Sequence, residues 1–308
     1  MYSLNRIRRG LKNPSLIGRE LNRLVHRRLY TRQYNTAGVG IFEEEWDNLI
    51  LLDACRYDLF EQYCTSFSGE LQSRVSRGSN TVEFLLGNVR GRNLTDTVYV
   101  TGNPQYHRHK DILDSTFHDV VDIWHEGGWN EKMGTVLPET VTDHALEAAK
   151  VYPKKRLLIH YVQPHYPFVE SNTSFDKGHL EQTGPDVNPN FWYRIMYGEI
   201  QPPAEQIWEM YAENLERALP SVRELVDRIA GRTVISSDHG NMIGDRSSPI
   251  PIREWGHPRG IYANELVRVP WFVIDGERRR IVPEEPSASV QTNSEVVSER
   301  LRQLGYAE

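Results

Sequence analysis

Asn48-Leu49-Ile50-Leu51-Leu52-Asp53 is a continuous apolar run that stops on a carboxylate. A strand covered on both faces needs no polar alternation, so a run of this kind reads as a central strand of a parallel sheet. Three later runs resemble it, at residues 97–101, 156–162 and 233–237, with a further candidate at 271–274. Helical patterns lie between them, notably at 139–151 and 206–229. Strands that alternate with helices of this length predict an α/β fold, a three-layer α/β/α sandwich around a mostly parallel central sheet. The polar stretch 170–203, with scattered Pro and Gly, reads as a long surface excursion, and 283–292 as a similar tail before a last short helix.

Composition sets bounds on this reading. The 308 residues suffice for one large α/β domain or two small ones, and 39% hydrophobic with 25% charged residues is ordinary for a globular protein. No run of eighteen apolar residues exists, so no membrane-crossing helix is expected. The N-terminal residues lack an apolar leader, which makes a cytoplasmic location the expectation. Two cysteines, Cys55 and Cys64, exclude a disulfide scaffold and a Cys-rich zinc site, and read as small buried apolar residues.

Charge is unevenly placed. Residues 1–33 carry nine Lys/Arg against one acid, Glu20, whereas the remainder carries 27 Lys/Arg against 41 Asp/Glu. Residues 4–34 read as two short basic helices broken at Asn13-Pro14. Leu21, Leu24, Val25 and Leu29 recur there at helical spacing among Arg19, Arg23, Arg27 and Arg28. One reading packs the apolar face on the domain and leaves the arginines in water. The other makes residues 1–33 a peripheral contact for anionic lipid, at the inner membrane face of a cytoplasmic protein. Nucleic acid is not expected as a partner, because no aromatic stacking pattern accompanies the charge.

In open α/β sheets functional side chains gather at the carboxyl ends of strands. Three expected strands end on metal-ligand chemistry. The first delivers Asp53. The run 156–162 carries His160 and leads into Gln163-Pro164-His165-Tyr166-Pro167-Phe168. The run 233–237 is followed by Asp238-His239-Gly240, where the glycine permits a tight turn. Oxygen and imidazole donors from separate strand ends suit a divalent cation such as Mn²⁺ or Zn²⁺. Singly, a strand-end Asp is an N-cap and a His beside Pro is a loop histidine. Capping does not explain why these particular strand ends hold Asp and His together. Asn103, in Gly102-Asn103-Pro104, reads as a turn former, and His107, His109, His118 and His125 as structural or surface residues.

The ordered set formed by 48–53, 160–168, Ser236-Ser237-Asp238-His239-Gly240 and the stretch from Gly256-His257-Pro258 to Pro270 resembles the sulfatase-like branch of the alkaline phosphatase superfamily. The resemblance implies residues 41–308 as a single catalytic domain behind a basic helical segment at 1–40. It implies Asp53, Asp238 and His239 as metal ligands and His165 as a contact of the transferred group. His257 would hold a substrate oxygen or a second metal. Arg56 and His160 are further substrate-binding candidates, and Asp58 a further ligand. One tight metal is implied, Mn²⁺ or Zn²⁺ before Mg²⁺ or Ca²⁺, with room for a weak second.

The nucleophile should lie in Ser76-Arg77-Gly78-Ser79-Asn80-Thr81-Val82-Glu83-Phe84. Formylglycine sulfatases need Cys-x-Pro-Ser-Arg here, or Ser in place of the Cys, and this chain lacks it. A metal-activated hydroxyl is the alternative. A lipoteichoic-acid-synthase-like alignment favours Ser79, and the Thr-x-Pro-Ser count of other relatives favours Thr81. The resemblance thus implies a metal-dependent hydrolase or transferase of phosphate or sulfate esters, phosphoryl-type transfer being favoured. The substrate would be an anionic ester, glycan- or lipid-linked. The alternatives are a sulfuric ester hydrolase without formylglycine and a non-catalytic binder of anionic glycan or lipid.

Overall fold

The computed structural model describes residues 14–125, 127–171, 173, 190–286 and 294–306. The first expected basic helix lies outside them, as do residues 172 and 174–189 of the polar excursion and 287–292 of the tail.

Helix α1 (Pro14–His26) precedes the sheet. Strand β1 (Asn48–Leu52) leads through Asp53 into α2 (Tyr57–Tyr63) and β2 (Glu70–Val75). Then come α3 (Thr81–Asn88), β3 (Asn93–Thr101), the single turns α4 (Gln105–Arg108) and α5 (Lys110–Leu113), and β4 (Thr116–Asp122). A short pair, β5 (Trp129–Asn130) and β6 (Thr135–Val136), precedes α6 (Pro138–Val151) and β7 (Arg156–Tyr161). Helices α7 (Phe191–Met196) and α8 (Ala204–Arg228) lead to β8 (Thr233–Ser236). The hairpin β9 (Met242–Arg246) and β10 (Arg253–Gly256) follows, then α9 (Asn264–Val267), β11 (Arg268–Ile274) and α10 (Ser294–Gln303).

Seven strands form the main sheet in the order β2-β11-β8-β1-β7-β3-β4. The five from β8 to β4 run parallel, and β11 runs antiparallel to both β8 and β2. Strand period two divides β1 between two cores. Ile50 and Leu52 pack with Leu59, Val141, Leu215 and Leu301 from α2, α6, α8 and α10. Leu49 and Leu51 pack on the other face with Trp46 and with Phe84 and Leu85 of α3. This is the three-layer α/β/α sandwich that the apolar runs imply. The edge strands β2 and β4 are half-exposed and polar, so they offer no continuous apolar run to read.

Register then builds the site. Leu51 is level with both His160 and Ser236, and His160 with Thr101. Asp53, Asn103, His160 and Asp238 therefore arrive together at one carboxyl edge of the sheet.

Helix α1 reverses the expected packing. Its polar side faces inward: the Arg19 Nε donates to Glu254 Oε2 at 2.6 Å, and the Asn22 Nδ2 donates to Ser247 Oγ at 2.9 Å and Ile250 O at 2.8 Å. Arg19 and Asn22 are buried, while Leu21 and Val25 are 46% and 58% exposed. The reading in which apolar positions pack on the domain is corrected: buried polar pairs on the β9–β10 side hold the helix instead.

Candidate metal centre

Asp53, Asp238 and His239 offer one donor atom each within 4.8 Å of one another, and all three are fully buried. Their positions follow from the backbone around them. Ala54, directly after Asp53, sits at φ +60°, a left-handed conformation that costs an L-residue of order 1 kcal/mol. It is held there by its N–H to Asp238 Oδ1 at 3.1 Å and by its carbonyl, which accepts from the Tyr211 hydroxyl. The His239 N–H also donates to Asp238 Oδ1, at 2.9 Å. Gly240 serves a close approach rather than the expected turn: a Cβ there would lie 2.0 Å from the Glu265 carbonyl oxygen.

One oxygen of each carboxylate is thus occupied and the other is not. Asp53 Oδ2 accepts from Asn103 Nδ2 at 2.6 Å. Asp53 Oδ1 and Asp238 Oδ2 are buried and have no hydrogen-bond partner among the described residues. The imidazole of His239 brings Nε2 to 3.5 Å from the first and 3.3 Å from the second, while its Nδ1 bonds the Gly240 carbonyl at 2.7 Å. With Nδ1–H donating to that carbonyl, the Nε2 lone pair faces the carboxylates. Donors at tetrahedral corners about 2.1 Å from a zinc ion are separated by roughly 3.4 Å, so the spacing fits a cation of that size.

Electrostatics agree. Burial, then the charge of Asp238, pushes the Asp53 carboxyl well above its usual range. Burial would raise Asp238 too, but the His239 and His160 rings hold it below its ordinary value. Two buried carboxylates this close are costly without a compensating cation.

His160 was expected to bind substrate. Its Nε2 instead lies 3.7 Å from Asp53 Oδ2 and 3.8 Å from Asp238 Oδ2, with Nδ1 tied to the Tyr99 hydroxyl at 2.9 Å. Burial lowers its pKa to about 4. His257, a candidate ligand or substrate contact, stacks on His239 at 4.9 Å and 15°, and its Nε2 meets His165 Nε2 at 3.3 Å. His165 bonds the Tyr166 carbonyl through Nδ1, and burial together with His239 lowers its pKa to about 4. The two rings share one proton at their contact: with Nδ1–H on His165, the N–H lies on His257 Nε2.

The two candidate hydroxyls face different surroundings. Thr81 Oγ1, in the first turn of α3, is 3.4 Å from His239 Nε2. Asn80 caps that helix by accepting from the Glu83 N–H, which presents Thr81 to the cluster. Ser79 Oγ bonds Glu83 Oε2 at 2.9 Å and Pro258 O at 3.1 Å, and accepts from Gly260 N at 3.0 Å. Arg56 is held by Asp58 at 2.6–2.8 Å and by Asp245 at 2.9 Å, so the structure pairs it with Asp58 rather than with the cluster.

Two residues of the site lie outside the candidate set read from the sequence. Asn103 is more than a turn former, since it binds Asp53 directly. Tyr306, beyond α10, stacks on His165 at 5.3 Å and 16°, and its hydroxyl is 3.4 Å from Thr81 Oγ1 and 3.3 Å from Asn103 Nδ2. Only the fold brings position 306 to this edge.

No protein-family model matches the chain, and no curated protein does. Solved structures do match. The C-terminal periplasmic domain of EcEptC from Escherichia coli, in complex with Zn, is 12% identical with a TM-score of 0.47, over 78% of this chain and 76% of that one. The soluble domain of lipooligosaccharide phosphoethanolamine transferase A from Neisseria meningitidis is 12% identical with a TM-score of 0.46, over 73% and 75%. A protein in the alkaline phosphatase superfamily from Vibrio parahaemolyticus is 11% identical with a TM-score of 0.40, over 85% and 67%. At these identities and TM-scores the chemistry is read from the residues of this site alone.

The cytoplasmic placement is corrected, its inner-membrane-face variant included. The matched Escherichia coli domain is periplasmic. A missing apolar leader was a poor guide, because a leader or anchor is a separate segment that leaves no mark on the fold. Among the described residues no helix is long and apolar enough to cross a membrane.

Proposed function

We propose that this chain is a metal-dependent enzyme of phosphoryl-type transfer on anionic esters, with Thr81 as its nucleophile. The observation that carries the reading is the placement of Thr81 Oγ1 3.4 Å from His239 Nε2, beside the two unpaired carboxylate oxygens. Asp53, Asp238 and His239 would hold the cation, with His160 against both carboxylates. A Zn²⁺ or Mn²⁺ ion there supplies Lewis-acid charge, which lowers the pKa of a nearby hydroxyl and offsets negative charge on ester oxygens. Thr81 Oγ1 gives up its proton to solvent and bonds phosphorus as the bond to the leaving oxygen breaks. The alkoxide released takes a proton from solvent, and the phosphoryl group then passes from Thr81 to water or a second alcohol. The Tyr306 hydroxyl lies 3.4 Å from Thr81 Oγ1, and its ring packs on the imidazoles of His165 and His257. Burial keeps both imidazoles neutral at neutral pH. Ser79 is assigned to structure, because its hydroxyl ties the helix start to the 258–260 loop.

The test is turnover by metal-stripped protein reloaded with Zn²⁺, Mn²⁺, Mg²⁺ or Ca²⁺ and offered nitrophenyl phosphate, bis-nitrophenyl phosphate and nitrophenyl sulfate. Metal-dependent release from a phosphate ester, reduced about a thousandfold or more in Asp238→Ala, is expected. Preference for the sulfate would replace this reading with the sulfuric ester hydrolase. Stoichiometric metal without turnover on any ester would replace it with the binding protein.

A further inference from the structure

The outward face of α1 is apolar. Ile17, Leu21 and Val25 recur every fourth residue and are 46%, 46% and 58% exposed, and Leu29, in the turn beyond the helix end, is 77% exposed. Residues four apart in a helix form one ridge. A surface helix of a globular domain ordinarily turns such a ridge inward. Here the opposite side is fixed instead, by Arg19 on Glu254 and Asn22 on Ser247, all four buried, and by Asn22 on the Ile250 carbonyl. Gly18 lies on that inner side, where an added Cβ would come within 3.0 Å of Ile252. The helix cannot roll its ridge toward the domain without stranding the buried Arg19–Glu254 pair.

Charge tells what the ridge faces. Of the five arginines in residues 14–33, Arg19 is buried on Glu254 and Arg23 is paired with Glu20, which leaves Arg27, Arg28 and Arg32 as the cationic flank in a chain whose formal net charge is −6. Arg28 stands exposed beside the end of the ridge, where Arg28, Leu29 and Tyr30 turn the chain through φ values of +45°, +55° and +65°. An apolar ridge with a cationic flank fits the interface of an anionic bilayer: the side chains enter the acyl boundary while guanidinium groups meet headgroup phosphates. A protein partner would need no such charge bias on an otherwise acidic molecule.

The ridge is also connected to the metal centre. The Arg23 Nε donates to the Arg259 carbonyl at 2.8 Å, and Gly260, at φ +77°, lies where a Cβ would meet Arg27 at 2.4 Å. The same 258–260 loop follows His257 and is bonded to Ser79, two residues before Thr81.

We infer that α1 docks this protein on an anionic lipid surface through Ile17, Leu21 and Val25, with Leu29 of the following turn beside them, and so presents the candidate metal centre to esters anchored in that surface. The docking stands on the helix alone. The lipid-anchored substrate class rests on the phosphoryl-transfer reading.

Co-sedimentation of the full chain with vesicles tests it. Phosphatidylglycerol-containing vesicles should retain the protein, pure phosphatidylcholine vesicles should retain far less, and salt should weaken retention. The double variant Leu21→Gln/Val25→Gln should lose at least tenfold in retention, with an unchanged melting temperature and unchanged metal stoichiometry. Equal retention of the double variant would overturn the proposal, as would no retention of the wild type. A dimer in sedimentation velocity that the double variant dissolves would assign the ridge to a second copy and overturn it too. None of these readouts uses turnover, so failure of the docking and failure of the chemistry are seen separately.

Discussion

Thr81 Oγ1 and Ser79 Oγ are two positions apart in the chain and look in different directions. Thr81→Ala should abolish turnover while leaving bound metal unchanged by elemental analysis, and Thr81→Ser should recover part of the rate. Ser79→Ala should keep the chemistry and lower stability by about 1–2 kcal/mol in denaturant unfolding, because it breaks buried hydrogen bonds. Counting along motifs could not separate these two hydroxyls, since the helix start at Asn80 decides which one is presented. Asp53, Asp238 and His239 were readable because each stands directly beyond an apolar run. Histidine burial has a pH consequence in metal-stripped protein. The His165 pKa is about 4 in the folded chain against an ordinary 6.5, so between these values the unfolded chain binds a proton that the folded one does not. Its contribution is unimpaired above pH 6.5, and stability is lost as pH falls from there toward 4, by up to about 1.4 kcal/mol per pH unit. Asp53 works in the opposite sense, since its raised carboxyl favours the folded state as pH falls. The comparison is therefore made against His165→Asn, whose unfolding free energy should fall less steeply between pH 6.5 and 5. Parallel slopes would show that His165 titrates normally.

Helix α8 supports the 164–169 loop beside the candidate metal centre through Asn214. Its Nδ2 donates to the carbonyls of Pro164, His165 and Pro167 at 3.1, 2.9 and 3.2 Å, and its Oδ1 accepts from Val169 N at 3.0 Å. Asn214→Ala should cost roughly 3 kcal/mol and reduce turnover through a loosened His165, with metal affinity little changed. Gly240→Ala should be worse for folding, about 3 kcal/mol or more, because its Cβ would overlap the Glu265 carbonyl. Central strands β1, β7 and β8 were legible to within a residue, because burial on both faces removes polar alternation. Edge strands β2 and β4 were not, since half-exposed strands carry polar side chains that resemble loop. The orientation of α1 was likewise beyond periodicity, which locates an apolar stripe on a helix but not the side on which the domain lies.

At the scale of the molecule, the sheet brings residues from positions 53 to 306 to one edge, and the density of buried unpaired donors there shapes its stability. Chelation should lower the melting temperature, and re-addition of Zn²⁺ or Mn²⁺ should restore it. A cation at a hundredfold excess over its dissociation constant contributes about 2.7 kcal/mol to the folded state. The most direct test of Thr81-mediated, metal-dependent transfer is peptide mass spectrometry of metal-reloaded protein, quenched in acid during turnover of nitrophenyl phosphate. One phosphoryl group on Thr81, absent from chelated protein and from Asp238→Ala, is the expected result. Undiminished turnover by Thr81→Ala, with the label on Ser79 or on no residue, would contradict it.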